Sequence, residues 1–177
     1  QVLRCRGITQ HFLRLSRGQT SAGDIVDLQR AVSEAGRLVE PTARDQSVKL
    51  EVETGGPGPH VRADEAELQH TLINLLLNAI QACKPGGHVV VGVEQGDPVR
   101  IRIADDGCGI PAEHQKRIFE PFVSLRRGGT GLGLFLSLTF ARRWGGDIQM
   151  TSTPGNGSTF VVTLPGAAGT QARRAAS

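Results

Sequence analysis

The chain has 177 residues, of which 38% are hydrophobic and 21% charged, a balance that fits one ordinary globular domain and excludes a disordered or membrane-embedded chain. Twenty basic against seventeen acidic residues leave a net charge of +3. The arginine pairs at 126–127, 142–143 and 173–174 are scattered and lack interleaved aromatics, which argues against a nucleic-acid surface. Cys5, Cys83 and Cys108 show neither a disulfide framework nor metal-ligand spacing, and fit a reducing compartment.

Residues 2–17 set Val2, Leu3, Ile8, Phe12, Leu13 and Leu15 among Arg and Gln, an amphipathic helix pattern closed by Gly18. Because the chain opens at Gln1 inside this pattern, it reads as a piece of something longer. Residues 18–24 are small and polar, a linker. A short strand is expected over 25–28, and a helix from about 29 to 39 that stops before Pro41. Val48, Leu50 and Val52 alternate with Lys49, Glu51 and Glu53, the period of a half-buried strand, which the glycine and proline cluster at 55–59 ends. Asp64 followed by Glu67 is a capping-box-like start to a helix whose apolar periodicity runs to Ala82.

Two β-rich runs, 88–94 and 99–104, are joined by a turn-rich connection and predict a hairpin. A short helix near Pro111, a glycine-rich segment over 128–133 and a helix to about Arg143 follow. Strands over 148–153 and 159–164 close the domain, and residues 166–177 lack core-forming side chains and read as a frayed tail. No apolar run approaches the ~20 residues needed to cross a bilayer. The elements sum to an α/β (α+β) two-layer sandwich, a mixed sheet covered on one face by helices.

On the helix over 64–82, Glu67, His70, Thr71, Asn74, Asn78 and Gln81 fall within a stripe roughly 100° wide, while Leu68, Leu72, Ile73, Leu75, Leu76, Ala79 and Ile80 cover most of the rest. Such a stripe either faces solvent or lines a site. Asn74 and Asn78 are one turn apart, so their amides share a face, and an Asn carbonyl is a hard oxygen ligand suited to Mg²⁺. The motif Asp105-Asp-Gly-Cys-Gly109 puts an acidic pair at a strand end on a turn whose glycines permit close approach of a flat ligand. By itself it also fits a simple hairpin turn or a partial calcium loop. Gly128-Gly-Thr-Gly-Leu-Gly133 opens a helix, and free helix-start N–H groups beside glycines suit a polyphosphate, although a flexible loop reads the same way. It is neither a Walker loop nor a dinucleotide fingerprint. Between the two, Ile118-Phe-Glu-Pro-Phe122 would anchor a loop by its aromatics, with Arg126 and Arg127 in reach of phosphate oxygens.

Taken together, Asn74-Leu-Leu-Leu-Asn78, Asp105-Asp-Gly-Cys-Gly109, Phe119-Glu-Pro-Phe122 and Gly129-Thr-Gly-Leu-Gly133 resemble, in order and spacing, the boxes of the sensor histidine kinase catalytic domain, a member of the Bergerat-fold ATPase/kinase superfamily. The resemblance covers about residues 24–165 and implies the Bergerat ATP-binding fold with ATP and Mg²⁺ as ligands. By it, Asn78 would hold Mg²⁺, and Asn74 would support the phosphate end and act with Arg126 in catalysis. Asp105 would receive the adenine amine, with Gly107 and Gly109 shaping the base pocket. The segment from Phe119 to Gly129 would be the ATP lid, Phe119 contributing to the ATP site, and Gly129, Thr130, Gly131, Leu132 and Gly133 would line the triphosphate.

Hydrolytic relatives in the superfamily carry a Glu one turn before the metal-binding Asn. That position here is Asn74, and an amide cannot serve as the base that activates water. Glu67, nearly three turns from Asn78, is a poor substitute. The expected activity is therefore protein-histidine kinase, with a Bergerat-type ATPase or a nucleotide-regulated binding module as alternatives. No phosphoacceptor is evident: His11 lacks the neighbouring acid and Arg-x-Pro, and His60, His70, His88 and His114 have no acceptor context. The implied organisation is residues 1–18 as the end of a dimerisation hairpin helix, 19–165 as the catalytic ATP-binding domain and 166–177 as a tail. The acceptor histidine would lie on a dimerisation domain outside this fragment, and a response regulator would take the phosphoryl group onward. The fragment is expected to be monomeric and cytoplasmic, its parent a homodimer that can be anchored in the inner membrane.

Overall fold

The alternation in residues 88–105 builds the centre of the molecule. In the computed structural model, which describes residues 23–167 apart from residues 54, 55, 57 and 127, those residues form β4 (His88–Glu94) and β5 (Val99–Asp105), paired antiparallel. Around them lie β1 (Asp24–Asp27), α1 (Leu28–Asp45), β2 (Lys49–Val52), β3 (His60–Ala63), α2 (Glu65–Ala82), α3 (Ala112–Gln115), α4 (Gly133–Arg143), β6 (Asp147–Ser152) and β7 (Ser158–Leu164). Five strands form a mixed sheet in the order β2-β4-β5-β7-β6, with β2 parallel to β4 and the other pairs antiparallel. Along β5, Val99, Ile101 and Ile103 are buried while Arg100 and Arg102 are exposed, so only one face of the sheet is covered. That face packs on α2, which α1 and α4 flank. The sandwich expected from the sequence is the fold observed.

The structure departs from expectation at four places. Helix α1, started by Asp27 accepting the Arg30 N–H at 3.1 Å, does not stop before Pro41 but runs to Asp45. Pro41 sits exposed near the helix end, where its missing N–H unpairs only the carbonyl of the exposed Arg37, while Val39 and Ala43 are both 1% exposed and hold the last turns to the core. Strand β3 has no counterpart in the sequence reading: four residues long, it pairs antiparallel with β1 in a separate two-stranded sheet and buries Val61 and Ala63. Gly166, assigned to the tail, makes an antiparallel bridge to Val61. At the other end, Gly23 belongs to the fold rather than to a free linker, its carbonyl accepting Arg62 Nη1 at 3.0 Å. The helix expected over 2–17, with His11, lies outside the described residues, as do Arg127 and most of the expected tail.

Candidate functional site

The period of β5 continues past Ile103 to put Asp105, 9% exposed, on the helix-covered face where a core residue would stand. Its neighbours across the ladder are Val89 and Ser158. One carboxylate oxygen, Oδ1, accepts the N–H groups of Gly107 at 2.9 Å and Ser158 at 3.2 Å. The other, Oδ2, has no partner among the described residues and is free to accept a further donor. Burial raises the Asp105 pKa above the usual carboxylate range, against the pull of the Gly107 and Ser158 hydrogen bonds. The acidic pair thus divides its work. Asp106 turns outward, and its Oδ1 accepts the His88 N–H at 2.8 Å and the Cys83 S–H at 3.5 Å, tying the loop to the start of β4. Burial and this hydrogen bond push the Cys83 thiol up to about 12, so it remains a protonated structural group.

The loop glycines answer to backbone rather than to ligand alone. A Cβ on Gly107 would lie 2.6 Å from the main chain of Ala82, and one on Gly109, at φ +65°, would collide with the Thr153 carbonyl. Cys108 fastens the same loop, its N–H donating to Ala82 at 3.0 Å and its carbonyl accepting from Gly155 at 2.8 Å. The Asp105 loop is therefore wedged between the end of α2 and the β6–β7 turn.

The polar stripe of α2 separates into two halves. Toward its start, Glu67 accepts Arg143 and the Trp144 indole N–H, His70 meets Phe140 edge-on at 6.2 Å, and Thr71 is 3% exposed. This half is the α2–α4 interface, neither solvent face nor site. Toward its end, Asn74 and Asn78 are only partly buried. Asn74 Nδ2 donates to Ser137 at 3.0 Å, and its Oδ1 lies against Gly133, where a Cβ would collide with it. Asn78 has no side-chain partner among the described residues, and its main-chain carbonyl accepts Arg126 Nη2 at 2.9 Å. From Asn74 to Ala82, eight residues of helix span about 12 Å, so α2 forms a floor joining the start of α4 to the Asp105 loop.

At the first end of that floor, α4 begins at Gly133 with no side chain capping it, leaving first-turn N–H groups for an anion. Thr130 Oγ1 accepts the Leu132 N–H at 3.4 Å just before it. Between α3 and α4, the chain reaches α2 through Arg126 and the sheet through Phe119. Phe119 packs edge-on against Phe160 at 6.4 Å and does anchor the loop. Phe122 does not: it is 77% exposed at φ +65°, held by its N–H to the Gly131 carbonyl at 3.0 Å, and Gly131 can bear no Cβ against this main chain. Ser124 Oγ accepts the Arg126 N–H at 3.1 Å and helps turn Arg126 toward α2.

The donor set fits Mg²⁺ arriving with a nucleotide. Among the described residues there is no group of three or more His, Cys, Asp or Glu that could hold a metal, while the unengaged Asn78 amide offers one hard oxygen. The residues missed by sequence reading are Ser137, Ser158 and Ala82. Each acts through a contact across the fold, and only the buried parity of Asp105 could have pointed to it.

A carboxylate at a sheet end, an uncapped glycine-flanked helix start and two asparagines thus lie along one helix, and comparisons with known proteins give the family of the chain. The family described as "Histidine kinase-, DNA gyrase B-, and HSP90-like ATPase" matches residues 63–168, and the chain belongs to this family. It is 35% identical over 165 residues to the sensor histidine kinase ZraS of Escherichia coli, covering 92% of this chain and 35% of that protein. Against the signal transduction histidine-protein kinase AtoS of Escherichia coli it is 36% identical over 160 residues, covering 89% and 26%. The chain thus spans about a third or less of these relatives. Among solved structures, the catalytic domain of histidine kinase ThkA superposes with a TM-score of 0.73 at 28% identity, covering 82% of this chain and 96% of that one. Full-length ShkA in complex with AMPPNP superposes with a TM-score of 0.78 at 29% identity, covering 89% and 34%. The chain is an ATP-binding catalytic domain of the sensor histidine kinase type.

Proposed function

We propose that this chain binds Mg-ATP with adenine at Asp105 and the triphosphate along α2 toward the start of α4, and hands the γ-phosphoryl group to a histidine on a dimerisation helix of the same parent protein. The observation that carries this reading is the pairing of the free Asp105 Oδ2, an acceptor for an exocyclic amine, with the uncapped start of α4 at the other end of one helical floor. Gly129, Thr130, Gly131, Leu132 and Gly133 would surround the phosphates, and Phe119 would hold the base of the lid.

In the transfer, an imidazole nitrogen forms a bond to the γ-phosphorus as the bond to the β–γ bridging oxygen breaks, and ADP leaves. The chain contributes positioning and charge, through helix-start amides, Arg126 swung from the Asn78 carbonyl to the phosphates, and Asn74. Mg²⁺, when bound, neutralises phosphate charge, and Asn78 Oδ1 is the residue that would hold it. A hydrolytic reading is weaker. Asn74 occupies the place of the water-activating base, and the nearest alternative on the stripe, Glu67, is engaged by Arg143 and Trp144.

The proposal extends to a parent chain that supplies the acceptor domain, acts as a homodimer and passes its phosphoryl group to an Asp of a response regulator, this piece alone being monomeric. Among the described residues no helix is long and apolar enough to cross a membrane. Titration calorimetry with a non-hydrolysable ATP analogue, with and without Mg²⁺, tests the site. Asp105→Asn and Asn78→Ala are each expected to weaken binding roughly tenfold or more, the second only when Mg²⁺ is present. Binding indifferent to both substitutions would refute the assignment.

A further inference from the structure

Ser137 is 0% exposed, on the face of α4 that carries Leu136, Phe140 and Ala141 into the core. A hydroxyl in such a place is unfavourable unless hydrogen-bonded, and alanine would suit both the helix and the apolar surroundings better. Its partner is Asn74, whose Nδ2 donates to Ser137 Oγ at 3.0 Å across the α2–α4 interface. The opposite end of the same amide lies against Gly133, which is spaced four residues before Ser137 and therefore on the same side of α4. Two positions one turn apart on a single helix thus grip the amide at both ends. This matters because the terminal torsion of Asn is broad and roughly two-fold, so an amide without such a grip turns freely and offers either end.

We propose that Ser137 is a positioning residue for phosphoryl transfer: its buried hydroxyl, hydrogen-bonded to Asn74, holds that side chain in place against the start of α4, where the γ-phosphate would lie. This rests on the kinase reading of the site. Ser137 acts through Asn74, from beneath the site. Held so, the amide stays at the start of α4, beside the N–H groups that would meet the phosphates. Asp105, Asn78 and the helix-start amides carry most of the affinity for ATP, so removal of the Ser137 hydroxyl acts more on the rate than on binding.

The test is autophosphorylation of the full-length protein with labelled ATP, on wild type, Ser137→Ala, Ser137→Thr, Asn74→Ala and the double alanine variant, with melting temperatures taken alongside. Ser137→Ala is expected to lower kcat about tenfold, the scale of one oriented hydrogen bond. Its KM for ATP should stay within about twofold of wild type. Ser137→Thr, which keeps the hydroxyl, should recover most of the rate. In the Asn74→Ala background, Ser137→Ala should cost nothing further, because the group it orients is gone. Unchanged kcat in Ser137→Ala, or losses that add in full in the double variant, would overturn the role, as would a parallel fall of kcat, affinity and melting temperature in both Ser137 variants. A wild-type protein that binds ATP yet forms no phosphohistidine would instead sink the kinase reading and this proposal with it.

Discussion

If Asp105 receives adenine as proposed, it concentrates a conflict between folding and binding in one side chain. Its carboxylate is buried at a strand end, and its pKa stands above the usual carboxylate range because burial disfavours the charge. As pH rises, the unfolded chain releases this proton before the folded one. The stabilisation is therefore present below the unfolded pKa and is lost as pH rises through the raised folded value. Above that value the ionised group is a net cost to the ligand-free fold. Asp105→Asn is accordingly expected to leave the urea midpoint of the ligand-free chain at pH 7 equal to or higher than that of wild type, since an amide oxygen can still accept from Gly107 and Ser158. Binding runs the other way. An ionised Oδ2 is the better acceptor for an amine, so ATP-analogue affinity measured by calorimetry should decline as pH falls through the raised pKa in wild type, and Asp105→Asn should bind weakly with little dependence on pH over that range.

At the scale of elements, α4 is the part that serves both the core and the site. Its first residue touches Asn74, its middle holds Ser137 and Phe140, and its end supplies Arg143 beside Trp144. Gly133→Ala, at the first residue of the helix, would gain less than the ~1 kcal/mol that the exchange brings in a helix interior. The added Cβ collides with Asn74 Oδ1, however. We expect an unfolding midpoint close to wild type together with a loss of phosphoryl transfer of at least roughly tenfold, read by labelled-ATP incorporation in the full-length protein. At the far end of α4, Glu67→Ala removes the acceptor of the Trp144 indole N–H and the partner of Arg143, and should cost about 1–3 kcal/mol in urea unfolding. Glu67→Gln keeps an acceptor and should cost less. Trp144 is the only tryptophan of the chain, so its fluorescence reports this contact directly.

At the scale of the molecule, the proposed site links stability to ligand binding through α2, whose buried side packs between α1 and the sheet while Asn74 and Asn78 on its other side would floor the site. Leu72 is 0% exposed, and Leu72→Ala should lower the free energy of unfolding by about 2–5 kcal/mol. A nucleotide analogue at about 100 times its Kd should return about 2.7 kcal/mol of that, because only the folded chain has a site. Thermal unfolding with and without the analogue measures both numbers. No return in the variant would mean that the floor itself had been lost with the core.

Elements whose pattern is local were legible in the chain as written. The helix from Asp64 to Ala82 has its cap three residues from the bond it accepts and an unbroken apolar period, and the β4–β5 hairpin has its alternation and its turn in adjacent residues. The candidate site was legible for a related reason: Asn74, Asn78, Asp105 and the glycine run each sit within short motifs whose order survives in the sequence. Local signals misled where the core outweighed them. Pro41 did not end α1, because Val39 and Ala43 are buried on either side of it, and β3 was invisible because four residues acquire a strand's hydrogen bonds only by meeting β1. Beyond the reach of any local pattern were the partners themselves. Glu67 with Trp144, Asn74 with Ser137 and Asp105 with Ser158 are pairs 77, 63 and 53 residues apart. The residue types, their order and their periodicity are properties of neighbouring positions, and these sufficed for the fold class and the motifs. Which amide is held, which carboxylate oxygen is left free and which half of a polar stripe is merely an interface depend on chain segments brought together by hydrophobic burial, and only the packed structure decided them.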